Sequence, residues 1–204
     1  MHKILITGSI HEIGLEILRR EKDFEIMYAP ELPNEEILKI ITDFHCILTR
    51  SETAIPRELI DSAPNLKVIA RAAVGVGNID VEYATEKGIL VINSPGINNI
   101  SAAELAIGLL LSIMRNIVSA HIHMRDLKWD RHAFTGSELL GKSIGIIGLG
   151  NVGHRVARYA KAFEMEVLAY DPYVSDEVFD RHQAKKCSLD ELLRTSDVIS
   201  MHVP

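Results

Sequence analysis

The chain has 204 residues, with 22 lysines and arginines against 28 aspartates and glutamates, and a formal net charge of −6. That balance offers no basic face to nucleic acid and no polybasic anchor to a membrane. Hydrophobic residues make up 47% of the chain, enough for a globular core.

Cys46 and Cys187 stand far apart at no metal-ligand spacing, which predicts free buried thiols in a reducing compartment and no metal site. The first apolar run is too short for a signal peptide. The most apolar stretch, residues 105–114, has the length of a buried helix and not of a membrane span. A soluble, cytoplasmic protein is expected.

Residues 3–7 read as a first strand, followed by a helix with Ile13, Ile17 and Leu18 on one face. Residues 24–28 are the second strand. Asn34 then opens a helix as its cap and sends Ile37, Leu38 and Ile41 inward. Residues 46–49, 67–72 and 89–93 are further short apolar runs. Helices between them begin near Pro56 and Val81, and Gly88 sits where a helix C-terminal glycine belongs. This alternation predicts a parallel sheet covered on both faces.

After Ser94-Pro95-Gly96 a second unit opens with a long helix over 101–118, in which Ser101 and Glu104 have capping-box spacing. A polar link containing Trp129, Arg131, Phe134 and Gly136 follows. The alternation then restarts with strand 143–147, a glycine loop, helix 154–163 and strand 166–171. A weak strand at 185–187, a helix capped by Ser188 with Glu191, and strand 197–203 complete it. The expected fold is α/β, with two doubly wound parallel-sheet domains over residues 1–94 and 95–204. A dinucleotide-binding sheet usually has six strands, and four follow Ser143. The second domain is therefore expected to be incomplete, with an unpaired apolar edge.

The loop Gly148-Leu149-Gly150-Asn151-Val152-Gly153 lies between an apolar strand and a helix carrying Val156, Ala160 and Phe163 at helical spacing. Gly148 permits the tight turn, Gly150 lets the backbone approach a pyrophosphate, and Gly153 lets helix and strand pack closely. The helix N-terminus adds free N–H groups and a favourable dipole. Asp171 ends the next strand, 18 residues beyond Gly153. Its carboxylate is expected to hold the adenosine ribose and to repel a 2′-phosphate, which makes NAD the expected cofactor.

A second candidate is Arg71-Ala72-Ala73-Val74-Gly75-Val76-Gly77, just past a strand's carboxyl end. Its two glycines would let successive N–H groups face one anion, such as a substrate carboxylate, and a plain tight turn explains it equally well. The run from Asn93 to Glu104 reads as a strand end, a turn and a capped helix. His121 and His123, two apart on a helix, point to different faces and are expected to be solvated. His202, in the last strand, reads as structural before it reads as an acid–base group.

Together these residues resemble the D-isomer-specific 2-hydroxyacid dehydrogenase family, most strongly across 70–80, 93–110 and 128–171. The resemblance implies a flavodoxin-like substrate domain and a Rossmann NAD-binding domain. It implies that Arg50 and Ser51 contact substrate, that the Val74–Gly77 backbone holds the substrate carboxylate, and that Val74 lies near the nicotinamide. It places Asn151 and Val152 N–H groups on the pyrophosphate, Asp171 on the ribose, and His202, Val203 and Pro204 beside the cofactor. The segment from Lys128 to Gly136 resembles the branch acting on a phosphorylated hydroxy or keto acid, with Arg131 reaching a partner subunit's site in a homodimer or larger homo-oligomer.

The family's catalytic arginine, glutamate and histidine fall beyond residue 204, so the chain alone is expected to be inactive. Reduction of glyoxylate or hydroxypyruvate, or a non-catalytic NAD-sensing module, are the alternatives.

Overall fold

The structure is a computed structural model that describes residues 1–203. The chain divides into two compact units, Met1–Ile97 and Asn98–Pro204; the expected boundary lay at 94.

Five parallel strands make the sheet of the first unit: β1 (His2–Ile6), β2 (Phe24–Tyr28), β3 (Cys46–Thr49), β4 (Val68–Arg71) and β5 (Leu90–Ile92). Their spatial order is β2-β1-β3-β4-β5. β1 is an interior strand, and three successive residues on it are buried because both faces are covered. Ile4 and Ile6 pack against Leu15 of helix α1 (Glu12–Arg19). Leu5 points the other way, into a cluster with Ile37 of α2 (Asn34–Ile40), Ile41, Ile47 and Ile69. Leu59 of α3 (Arg57–Asp61) and Ala84 of α4 (Val81–Glu86) fill the same side. Gly88 ends α4 in the left-handed region, at φ 72°.

Two local expectations for this unit are corrected. Leu15, with Leu18 beside it, faces the sheet, while Ile13 and Ile17 are exposed. At about 100° per residue those isoleucines lie about 200° from Leu15, on the far side of the helix. Asn34 is the first residue of α2 and not its cap. Pro33, with φ −63° and an extended ψ, precedes the helix, and the Asn34 amide donates to the Ala54 carbonyl at 3.3 Å.

The second unit begins with α5 (Asn99–Met114) and α6 (Ile117–Arg125) in place of one helix over 101–118. Asn116 takes φ 54°, a conformation asparagine tolerates, and the Met114 carbonyl accepts from the Ser137 N–H at 2.8 Å. The helix stops there. Ser101 lies inside the first turn, so the Ser101–Glu104 capping box does not form. Ala103, Ile107 and Leu110 are buried against α7 (Gly153–Ala162), whereas Leu105, Leu109 and Ile113 are exposed on the other face. The run 105–114 is thus half buried. Among the described residues no single helix is long and apolar enough to cross a membrane, and the α5–α6 pair is bent by 63° at its break.

The remaining strands β6 (Ser143–Ile147), β7 (Glu166–Tyr170), β8 (Lys185–Lys186) and β9 (Val198–Met201) form a parallel sheet of order β8-β7-β6-β9. Ile144 and Ile146 pack on Val156, Ala157 and Ala160 of α7. Helix α8 (Asp176–Arg181) contributes buried Phe179, and α9 (Leu189–Thr195) contributes Leu192 against Leu168. The Ser188 hydroxyl caps α9 through the Glu191 N–H at 3.1 Å, as its spacing predicts.

Candidate functional site

In each unit the chemistry-bearing loops leave the carboxyl ends of the first strand of the sheet and of strands near it, at the switch point where doubly wound sheets bind ligands. The two loop sets are described separately.

In the second unit the glycine loop runs from the end of β6 into α7. Gly148 adopts φ 91°, and a Cβ there would lie 2.7 Å from the His202 carbonyl oxygen and 2.8 Å from Val203 Cγ1. A Cβ on Gly153 would collide with the Gly148 carbonyl oxygen. A Cβ on Gly150 would meet nothing within 4 Å. Gly148 and Gly153 therefore close the turn, and Gly150 faces open space.

Among the described residues, the N–H groups of Gly150, Asn151, Val152 and Gly153 donate to no protein acceptor. Four successive free donors at a ten-residue helix's N-terminus, with an open face at Gly150, fit an anionic diphosphate.

Asp171 follows β7 directly. One carboxylate oxygen accepts from the Leu149 N–H at 2.9 Å, and the other from the Tyr173 N–H at 2.9 Å. A carboxylate has about four acceptor positions, so both oxygens keep capacity for a ribose diol.

His202 donates its N–H to Ile147 O at 2.8 Å, and its Nε2 lies 2.8 Å from the Ser200 hydroxyl. Burial holds the His202 imidazole below its ordinary pKa. Val203 lies beside Gly148; Pro204 lies outside the described residues. Arg131 is exposed in the link between α6 and β6 and has no ion-pair partner among the described residues.

His154, in the first turn of α7, has no role that the sequence suggests. Its Nδ1 lies 2.8 Å from the Gly150 carbonyl oxygen, and its ring stacks on His182, centroids 4.7 Å apart at 19°. His121 is exposed as expected. His123 is not fully solvated: its ring meets Phe134 edge-on at 5.0 Å, and its Nε2 is buried without a partner. No group of three metal-ligating side chains occurs among the described residues.

In the first unit, three loops converge after β1, β3 and β4. Thr7 and Thr53, both buried, join their hydroxyls at 2.9 Å across the β1–β3 switch point. A Cβ on Gly8 would lie 2.6 Å from Arg50 Cγ, so only glycine admits the Arg50 stem there. The exposed Arg50 guanidinium donates to Ser9 O at 3.0 Å, and Ser51 lies next to it on the surface.

Gly75 and Gly77 face open space, and neither adopts a positive φ. Among the described residues the N–H groups of Ser51, Val74, Gly75, Val76 and Gly77 donate to no protein acceptor. These donors, with the Arg50 cation alongside, form a chemically plausible carboxylate receptor. Thr7, Gly8, Thr53 and Asn78 have no role that local spacing reveals, because their contribution comes from contacts across 20 or more residues; Arg71 opens the second candidate segment, but the sequence does not show that its buried fork joins Gly75 to Arg50.

A family described as D-isomer specific 2-hydroxyacid dehydrogenase, catalytic domain, matches residues 4–197. The D-3-phosphoglycerate dehydrogenase of Methanocaldococcus jannaschii is 45% identical over 205 residues, covering 100% of this chain and 39% of the relative. The hydroxypyruvate reductase of Thermotoga maritima is 38% identical, covering 100% of this chain and 65% of the relative. The crystal structure of an Aquifex aeolicus D-lactate dehydrogenase complexed with NAD and lactic acid aligns with a TM-score of 0.85 at 28% identity, over 100% of this chain and 61% of that one. The chain spans about two fifths of the archaeal relative's length and just under two thirds of the other two. Matched along nearly all its length, with parallel doubly wound sheets and a glycine loop closed by an aspartate, the chain belongs to the D-isomer specific 2-hydroxyacid dehydrogenase family.

Proposed function

We propose that this chain is the dinucleotide- and substrate-binding part of an NAD-dependent oxidoreductase acting on the CH–OH group of a D-2-hydroxy acid, with 3-phosphoglycerate as the substrate and serine biosynthesis as its setting. The observation that carries the reading is the row of unpartnered N–H groups from Gly150 to Gly153, closed by Asp171. In this reading Asn151 and Val152 donate to the pyrophosphate and Asp171 accepts from the ribose hydroxyls. The Asp171 charge disfavours a 2′-phosphate, hence NAD over NADP. His202 and Val203 line the cofactor side. A bound nicotinamide supplies the hydride chemistry, and the chain supplies binding, orientation and exclusion of water.

The N–H groups of Val74–Gly77 take the substrate carboxylate, and Arg50 with Ser51 takes the far end. Arg131 acts on a partner subunit's site in a homodimer. Two arginines suit a phosphate dianion, and the 45% identity to an archaeal D-3-phosphoglycerate dehydrogenase supports that substrate. The Thermotoga hydroxypyruvate reductase supports the second reading, an unphosphorylated acid. The two free thiols fit a reducing compartment such as the cytoplasm.

Calorimetric titration tests both halves. NADH is expected to bind more tightly than NADPH, and the NADH-loaded chain is expected to bind 3-phosphohydroxypyruvate about tenfold more tightly than hydroxypyruvate. Equal or reversed acid affinities would overturn the phosphorylated substrate. NADH binding with no acid binding would favour an NAD-sensing module, and no binding of NADH would overturn the cofactor assignment.

A further inference from the structure

Arg71, the last residue of β4, is 7% exposed and is the buried charged side chain of the described residues. It has no carboxylate partner among them. A buried cation without an acid is costly unless its N–H groups are all directed at acceptors, and the acceptors here are informative. Nε donates to the Gly75 carbonyl at 2.7 Å, one terminal nitrogen donates to the Arg50 carbonyl, and the other reaches Ser51 Oγ at 3.5 Å. The Arg50 carbonyl also accepts from the Asn78 amide at 3.1 Å. Asn93, at the end of β5, donates its amide to the Val74 carbonyl at 2.7 Å.

A trans peptide points its C=O and the following N–H in opposite directions within one plane, so each captured carbonyl fixes the direction of the next N–H. Arg71 draws the Arg50 and Gly75 carbonyls toward itself and turns the Ser51 and Val76 N–H groups away. Asn93 does the same for the Gly75 N–H. Those three N–H groups are among the ones left without a protein acceptor.

We propose that Arg71 and Asn93 are positioning residues: they aim the Gly75 and Val76 N–H groups at the substrate carboxylate, and Arg71 turns the Ser51 N–H toward the substrate's far end. The guanidinium fork matters as well as its charge. Two carbonyls on different loops must be held in one plane, which an ammonium, a point charge on a flexible stem, does not do. The proposal rests on the reading of the Val74–Gly77 loop as the carboxylate receptor.

The test uses the 204-residue chain carrying Arg71→Lys or Asn93→Ala, with three readouts. Amide resonances of Ser51, Gly75 and Val76 report orientation without any ligand. Calorimetry reports 3-phosphoglycerate affinity, and NADH affinity serves as the control in the other unit. Arg71→Lys is expected to move the Ser51 and Val76 resonances and to weaken 3-phosphoglycerate about tenfold, leaving NADH affinity within about twofold. Asn93→Ala, an exposed substitution, is expected to move Gly75 and weaken the acid about threefold.

Unmoved resonances, or equal losses for NADH and the acid, would overturn the proposal. If the unsubstituted chain binds no 3-phosphoglycerate, the substrate reading fails, and the resonances decide the positioning role alone. If Arg71→Lys does not fold, Asn93→Ala decides it at Gly75.

Discussion

The three glycines of the dinucleotide loop share one motif and differ in what a methyl group would meet. On Gly153 it would collide with the Gly148 carbonyl oxygen, while on Gly150 it would project into open space. Gly153→Ala is therefore expected to destabilise the second unit by about 1–3 kcal/mol, the usual range for overpacking. Gly150→Ala should leave the denaturation midpoint nearly unchanged and weaken NADH about tenfold or more, because its methyl occupies the face a pyrophosphate must approach. Urea denaturation and NADH titration on the two variants separate these outcomes; a Gly150→Ala chain that binds NADH normally would contradict the assigned face. The different jobs of these residues are legible in the sequence, since strand, loop and helix are contiguous. The carboxylate loop is less so. Its glycines predict free N–H groups, but neither takes a positive φ, and the orientation is set by Arg71 and Asn93 from neighbouring strands.

Helix ends show the same divide between local and tertiary causes. Ser188 caps α9 as its spacing predicts, whereas Ser101, with the same Ser-x-x-Glu spacing, falls inside α5 because the helix starts earlier, at Asn99. A pair that no spacing suggests joins α7 to α8: His154, at the start of one, stacks on His182, the residue closing the other. Burial first, and then the neighbouring charges of His154 and Arg181, hold the His182 pKa below its ordinary 6.5. A depressed folded pKa means that the unfolded chain takes up the proton first. Stability is thus full above about pH 6.5, falls as the pH drops below that value, and levels off once the folded pKa has been passed. His202, lowered by burial, acts in the same direction. His182→Phe keeps an aromatic ring against His154 and removes the titrating group. It is expected to flatten the fall in urea midpoint between about pH 7 and pH 5, and an unchanged slope would show that the pair carries no part of it.

At the scale of the whole molecule, the alternation of strands and helices and the placement of loops at the carboxyl ends of strands are legible because short apolar runs and helix periods are local properties. Which faces of the helices stay uncovered is not. Residues 105–114 read as a buried run, yet Leu105, Leu109 and Ile113, one turn apart on α5, are 62%, 54% and 74% exposed. Ile117, Val118 and Ile122 continue exposed apolar surface on α6. A contiguous apolar face of this kind is characteristic of an interface. The homodimer proposed for Arg131 supplies an occupant, a second copy whose identical face meets it across a two-fold axis. Placing charge on the face while sparing the buried side, through Leu109→Lys with Ile113→Glu, leaves Ala103, Ile107 and Leu110 packed against α7. Sedimentation velocity at micromolar concentration is expected to show a dimer for the original chain and a monomer for the double variant. Far-ultraviolet circular dichroism and NADH affinity should be the same for both, since neither residue touches the glycine loop. A monomeric original chain would overturn the dimer. A double variant that stays dimeric would move the interface away from α5, and Arg131 would then need a different role.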